Sequence, residues 1–312
     1  MSTNLFDQLV AAFGGDRVRR GARLAPLTTF KVGGAADWLV EVQDAHELER
    51  ALRIAWGANV PVTVLGGGSN VLVSDAGVRG LVIRTRGGAT AAEGTSGVRA
   101  DAGVSVNSLV GWTIGRGLAG FAAWAGTPGS VGGAVFGNAH YGGRSIAELI
   151  TSVRLVTRDH EVVEVSASDM EFGSDRSRLQ RTGEVALSVL FALAPSSDPG
   201  TLREDARASL AHRKRTQPLD TPSAGCIFQN PDPVRDRVPD GIPVSAGALI
   251  DRAGLKGHAI GGARVSTAHA NFIINDGGAS ASDIRALIDL CRAEVRARFG
   301  VTLREEIRYL GA

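Results

Sequence analysis

Three observations predict an α+β fold of two or three domains. Apolar runs of strand length alternate with stretches spaced as helices, the 312 residues include 41 glycines against only 5% aromatics, and two long glycine-rich stretches fall at residues 64–70 and 125–139. With 44% hydrophobic residues the chain can bury a large core. Its glycine content points to many tight turns.

A short N-terminal helix precedes residues 28–36, which lead into a strand over 38–42. Leu48, Leu52 and Ile54 give residues 45–58 helical spacing. Apolar runs at 62–65, 71–73 and 80–83 read as strands and close a small α/β unit near residue 84. From residue 98 to about 194, strand-like runs at 153–156, 161–165 and 185–193 alternate with helices near 106–116 and 168–172, a second and larger α+β unit. Residues 196–200 are a loop by composition. Helical spacing returns at 202–213, a Pro-rich segment runs through residue 243, and helices follow at 245–253 and 280–299. The last carries Ile284, Leu287, Ile288, Cys291 and Val295 on one face, a Ser280-x-x-Asp283 start and a Gly300 stop, which makes Cys291 a core residue. Residues 303–310 alternate like a strand, turning one of Glu305 and Glu306 inward.

The formal charge of +2 is small, and basic residues are dispersed except at 212–215, so no nucleic-acid partner is expected. Lysine appears only at 31, 214 and 256 in an arginine background, which draws attention to Lys214. No apolar stretch reaches the eighteen or so residues of a membrane span, and the N-terminus lacks the features of a secretion signal, so a cytoplasmic protein without a membrane partner is expected. Cys226 and Cys291, the only cysteines, are too few for a disulfide framework or a structural zinc site; both read as free thiols, and no metal is expected.

A glycine has no Cβ, so a run of glycines lets backbone N–H groups turn toward an anion as a concave nest of donors. The first stretch lies between two strands, the wrong context for a dinucleotide fingerprint, which needs a helix after its glycines. No Gly-Lys-Ser/Thr follows it, as a P-loop would require. One such loop alone is more often a turn. Two of them, each with Ser and Asn at hand, read as two walls of one pyrophosphate pocket.

Further motifs accompany these loops. They are Gly66-Gly-Gly-Ser-Asn70; Gly126-Thr-Pro-Gly-Ser-Val-Gly-Gly133 with Asn138-Ala139; Gln217-Pro218; Ser223-Ala-Gly-Cys-Ile-Phe-Gln-Asn-Pro231; Ser245-Ala-Gly-Ala-Leu-Ile250 continuing through Ala253-Gly-Leu-Lys-Gly257; Val265-Ser-Thr-Ala-His-Ala-Asn-Phe-Ile-Ile-Asn275; and the terminal Leu303-Arg-Glu-Glu-Ile-Arg-Tyr-Leu-Gly311. In this order they closely resemble the UDP-N-acetylenolpyruvoylglucosamine reductase family, from about Thr28 to Gly311.

The resemblance implies a fold of the vanillyl-alcohol oxidase type, in which two α+β subdomains, residues 1–85 and 86–213, hold FAD noncovalently. A smaller α+β substrate-binding domain would span 214–300, without the family's extra substrate-covering loop, and a strand at 301–312 would return to the active site. It further implies NADPH as reductant, reduction of UDP-N-acetylglucosamine enolpyruvate to UDP-N-acetylmuramate in peptidoglycan precursor synthesis, and a monomer. The cofactor-binding positions it implies are Leu65, Gly66, Gly67, Gly68, Ser69 and Asn70 in the first loop, and Gly126, Thr127, Pro128, Gly129, Ser130, Gly132, Gly133 and Asn138 in the second. Residues 138–143 are one shorter than the usual pattern, which shifts the flavin-side contacts there.

In the implied reaction NADPH reduces FAD, and hydride then passes from the flavin N5 to C3 of the enol ether while a proton arrives at C2. The adjacent carboxylate takes up electron density, so the protein must supply positive charge or acidic hydrogen bonds there and a proton donor at C2. Cys226 falls where many members have a serine as that donor; a thiol of ordinary pKa about 8.5 is a far stronger acid than an alcohol. Read alone it is a small buried thiol, and covalent flavin attachment is a remote alternative. Glu306 matches the family's terminal glutamate in preference to Glu305, although such a pair is otherwise a solvated surface feature. The arginine that holds the enolate stands normally in a Tyr-Arg-x-Ser pattern. Here Ser174 and Asp175 occupy those places, so Arg176 is expected to substitute through a one-residue adjustment, with Arg178 the poorer candidate. Lys214, Gln229 and Asn230 correspond to substrate-binding positions, although Lys214 reads equally as a solvated helix-end lysine and Gln229 stands where the family often has lysine; His269 either touches substrate or caps the turn before Asn271. Two rivals remain open: a related FAD oxidase of an alcohol or hydroxy acid, and a flavin- or nucleotide-sugar-binding protein that has lost catalysis, motivated by Asp175.

Overall fold

Apolar helix faces and sheet faces meet in three cores, which the chain distributes over two units. The computed structural model describes residues 4–196 and 198–311. The first unit takes the chain up to Ala22, then Asp37–Gly67 and Gly80–His212; the second takes Arg23–Ala36, Gly68–Arg79 and the chain from Arg213.

In the first unit, a four-stranded sheet has the order Val18–Arg23, Ala35–Val42, Val78–Thr85, Val62–Leu65. The helices Leu5–Phe13 and Ala45–Gly57 bury Leu9, Leu48 and Leu52 in one core with Val40, Leu81 and Ile83. Asn4 and Asp44 cap these helices by accepting the Asp7 and Glu47 N–H groups at 3.1 and 2.7 Å. A five-stranded antiparallel sheet follows in the order Val162–Ser166, Ile150–Val156, Val185–Ala192, Gly97–Asp101, Thr90–Glu93. Its inward residues Val98, Val153, Leu155 and Val189 pack with Leu109 of the helix Val106–Gly115 and with Phe121 and Phe191, whose rings meet edge to face at 5.0 Å.

In the second unit, the helices Ala246–Arg252 and Ala281–Phe299 cover a four-stranded sheet ordered Ser223–Cys226, Phe272–Asn275, Ala263–Val265, Ala259–Ile260. Leu249, Ile284, Leu287, Ile288, Cys291 and Val295 form its core, joined by Phe30, Val32 and Leu72. Segments 23–36 and 68–79, placed by the sequence within the first FAD-binding subdomain, thus belong to this unit because they lend it apolar side chains and a strand. Val71–Val73 pairs in parallel with Arg308–Leu310, and the Gly34 N–H donates to the Ser74 carbonyl at 2.8 Å.

The expected helix at 202–213 extends over Pro199–Thr216, and the one near 168–172 is a single 3₁₀ turn, Ser168–Met170. The long terminal strand shortens to Arg308–Leu310, preceded by an isolated bridge between Glu305 and Phe228. The Ser280 capping box and the left-handed Gly300 stop are both present.

Burial raises the Cys291 thiol to about 12, which disfavours the reactive thiolate at pH 8. Native protein treated with iodoacetamide is expected to leave Cys291 unmodified, and protein unfolded in guanidinium to lose that protection. Mass-spectrometric detection of alkylated Cys291 in the native protein would contradict this.

Candidate functional site

The first glycine loop leaves the strand Val62–Leu65 and enters Val71–Val73, so its flanks are strands as expected. Among the described residues no carbonyl or side chain accepts from the amides of Gly66, Gly67, Gly68, Ser69 and Asn70. Five successive donors are left for an outside acceptor, the property an anion nest requires.

In the first unit this loop packs on the second glycine stretch backbone to backbone. A Cβ on Gly66 would lie 2.1 Å from Ser130 Oγ, and one on Gly67 would lie 2.7 Å from Gly129 Cα. The loops approach this closely only because neither residue has a side chain. In the second stretch the amides of Gly126, Thr127, Gly132 and Gly133 are already engaged, by Asn107 Oδ1, the Trp124 carbonyl, the Ala102 carbonyl and Ser130 Oγ respectively. Pro128 has no N–H, which leaves Gly129 and Ser130 as donors without an acceptor among the described residues. Leu65 is buried at the end of its strand. A chain that holds bare amides at two glycine loops in van der Waals contact fits the diphosphate of a dinucleotide.

Asn138 does different work from the cofactor contact expected of it. Its Nδ2 donates to the Gly173 carbonyl at 2.8 Å, and its Oδ1 accepts from Ser145 Oγ at 3.0 Å and from the Ala147 N–H at 3.3 Å. The side chain is buried and fastens the tight hairpin in which Gly173 and Arg176 exchange backbone hydrogen bonds at 3.1 and 3.3 Å. At the tip of that hairpin Asp175 has φ +53° and turns inward, 6% exposed, with His140 Nδ1 3.2 Å from its carboxylate. Arg176 is exposed, its side chain lying against Gly173.

Arg178 is committed elsewhere. Its guanidinium grips Glu184 with two hydrogen bonds of 2.8 Å. Burial alone would raise the Glu184 carboxyl, but hydrogen bonds from Arg178 and Thr182, helped by arginine charge, bring it below its ordinary value. A carboxyl depressed on folding contributes stability above its unfolded pKa of about 4.3 and loses that contribution as pH falls through the folded value. Arg178→Ala is therefore expected to cost about 3 kcal/mol at pH 7. The gap from wild type, read from urea midpoints, should close below about pH 4; a gap independent of pH would contradict the pairing.

The remaining candidates lie in the second unit, where Lys214 is exposed near the end of its helix. Cys226 is half-buried at the end of the strand Ser223–Cys226, opposite Phe272, after a register shift in the ladder. The next residue, Ile227, accepts the Glu306 N–H at 2.8 Å, so the Cys226 strand and the Glu306 segment lie side by side. Asn70 Nδ2 donates to the Glu306 carbonyl at 3.2 Å, and the Asn70 carbonyl accepts the Arg308 N–H at 3.0 Å. Glu305 is taken by an ion pair with Arg292. The Gln229 N–H donates to the Arg304 carbonyl at 2.8 Å, and Asn230 Oδ1 accepts the Ala246 N–H at 3.1 Å, at the start of a helix. His269 Nδ1 accepts the Asn271 N–H at 3.2 Å, the capping alternative for that residue, and burial pushes its pKa down so that it stays a neutral acceptor.

Sequence reasoning assigned no role to four residues here. Asn271, a polar side chain 3% exposed inside an apolar run, could have been noticed from that pattern. Nothing local marks Arg292 as the partner of Glu305, or the Arg304–Asp236 pair at 2.6 Å.

A family model for an FAD-binding domain matches residues 36–166, which span the first glycine loop and the second stretch. Fold and loops together define a flavin-dependent oxidoreductase that binds FAD. A second model, for the C-terminal domain of UDP-N-acetylenolpyruvoylglucosamine reductase, matches residues 217–310. The reductase of that name from Synechococcus sp. strain JA-3-3Ab is 40% identical over 298 residues, covering 95% of this chain and 92% of the relative. That from Gloeobacter violaceus is 39% identical, covering 95% and 97%. The crystal structure of UDP-N-acetylenolpyruvylglucosamine reductase from Thermus caldophilus superposes with a TM-score of 0.77 at 32% identity, over 94% of this chain and 99% of that one. The chain belongs to the UDP-N-acetylenolpyruvoylglucosamine reductase family.

Proposed function

We infer that this protein reduces UDP-N-acetylglucosamine enolpyruvate to UDP-N-acetylmuramate with NADPH, using bound FAD, in the synthesis of peptidoglycan precursors. The observation that carries the reading is 40% identity to a reductase of this name along 95% of the chain. The bare amides at Gly66, Gly67, Gly129 and Ser130 supply what the coenzyme's diphosphate needs.

Bound FAD supplies the hydride chemistry, taking its reducing equivalents from NADPH. The protein's share is to hold the substrate and to move a proton. Cys226 is the group assigned to deliver a proton to the substrate C2, a thiol being in general a far stronger acid than an alcohol. Glu306, on the adjacent segment, is the glutamate assigned to polarise the intermediate or to return the proton; its neighbour Glu305 pairs with Arg292. Arg176 is the cation assigned to the substrate carboxylate, since Arg178 is held by Glu184 and Asp175 is turned inward. Lys214, Gln229 and Asn230 are assigned to substrate binding. Asn230 has its Nδ2 for this, its Oδ1 serving the Ala246 N–H.

A monomer in the cytoplasm belongs to the same reading, because a nucleotide sugar and NADPH are both cytoplasmic metabolites. Among the described residues no helix is long and apolar enough to cross a membrane.

The deciding experiment is anaerobic mixing with NADPH, then with the enolpyruvyl sugar, while following flavin absorbance. Bleaching by NADPH and recolouring by the sugar are expected. Bleaching without recolouring would remove the reductase assignment.

A further inference from the structure

Asn271 is the most deeply buried amide side chain in the second unit, 3% exposed, and its hydrogen bonds all go to the segment that follows Cys226 or to its own turn. Its Oδ1 accepts the Phe228 N–H at 3.0 Å, and its Nδ2 donates to the Phe228 carbonyl at 2.8 Å. Its own carbonyl accepts the Ile227 N–H at 2.8 Å. The side chain thus imitates a peptide group on a neighbouring strand. It takes over where the regular ladder stops, since the last paired residue of that strand is Cys226, opposite Phe272.

The other edge of this segment is held by the C-terminal segment. The Glu306 N–H donates to the Ile227 carbonyl and the Gln229 N–H to the Arg304 carbonyl, both at 2.8 Å. Residues 227–229 are therefore gripped from two sides, by Asn271 on one and by the backbone of Arg304 and Glu306 on the other. Sliding this segment along the Glu306 segment would break these bonds.

We propose that Asn271 is a positioning residue for the proton-transfer half of the reaction, setting the strand end that carries Cys226 in register with Glu306. The proposal rests on the assignment of Cys226 as proton donor. Only an amide does this work, because the site needs an acceptor and a donor about one peptide apart. An ionised carboxylate lacks the donor and faces the Phe228 carbonyl with like charge; a hydrocarbon of the same shape leaves both Phe228 groups buried without partners.

The test is Asn271→Asp in the holoenzyme, with the two half-reactions measured separately. Bleaching by NADPH should stay near the wild-type rate. Recolouring by the enolpyruvyl sugar should slow about 10- to 100-fold at pH 8, the penalty for a misplacement of about 1 Å. As pH falls and the new carboxyl takes up a proton, it regains an O–H donor for the Phe228 carbonyl, so the ratio of variant to wild-type recolouring should rise. A merely structural role would not split the half-reactions or give this recovery. If Asn271→Asp does not fold, Asn271→Ser, which removes the paired amide without burying charge, is read in the same way without the pH arm. Equal loss of both halves, or recolouring at the wild-type rate, overturns the proposal. Cys226→Ala run in parallel separates the two ideas: if it keeps wild-type recolouring, the proton-donor assignment falls and this one with it. If Cys226→Ala loses recolouring while the Asn271 variant keeps it, only the positioning role falls.

Discussion

Cys226→Ala protein should still bleach at the wild-type rate on mixing with NADPH, while its recolouring by the enolpyruvyl sugar slows by about 10²- to 10⁴-fold, the usual worth of a positioned general acid. The asymmetry follows from where the thiol stands. It ends a strand whose next residue hydrogen-bonds the Glu306 backbone, and the proposed function assigns both side chains to the half-reaction with the substrate. Alanine removes the proton donor with little change of volume at a half-buried position, so folding and coenzyme content should persist. Cys226→Ser is the informative companion, because a hydroxyl keeps the geometry but is a much weaker acid; its recolouring should be intermediate. Equal damage to both half-reactions in Cys226→Ala would contradict the proton-donor role.

The second large effect is expected from Gly67→Ala, which should purify with little of its flavin. The new Cβ would lie 2.7 Å from Gly129 Cα, and because the obstacle is backbone, no side-chain rotation relieves it. The two glycine loops must part, moving the amides of Gly66, Gly129 and Ser130, which the proposed function assigns to the diphosphate. Strain of about 1–3 kcal/mol on that geometry corresponds to FAD binding weaker by about 5- to 150-fold. Gly133→Ala is the control. Its Cβ would stand 3.5 Å from Ser130 Oγ, an ordinary contact, and its amide is already engaged. That variant should keep its colour, and flavin absorbance relative to protein absorbance reads both. Full flavin in Gly67→Ala would exclude the loop contact from coenzyme binding.

Much of this was legible in the residues themselves. Periodicity located the helices Ala45–Gly57, Val106–Gly115 and Ala281–Phe299, since an amphipathic face repeats over neighbours within a few positions. Ser280, Asp283 and Gly300 marked the ends of the last helix, because caps are local hydrogen bonds. The glycine stretches announced a close backbone approach, and the ordered motifs announced the family. Less legible were short elements whose form depends on what they pack against, such as the 3₁₀ turn Ser168–Met170 and the brief strand Arg308–Leu310.

The sequence alone therefore determined the family, the coenzyme and the main helices, through patterns written in adjacent residues. Only the tertiary structure decided which partner each side chain meets. Arg292 pairs with Glu305; Glu184 pairs with Arg178; Asn138 fastens a hairpin; and Asn271 reaches back 43 positions to hold the segment after Cys226. The physical reason is that a hydrogen bond or ion pair is satisfied by whatever partner folding brings within about 3 Å. Residues 236 positions apart, as Asn70 and Glu306 are, leave no periodic trace of that meeting.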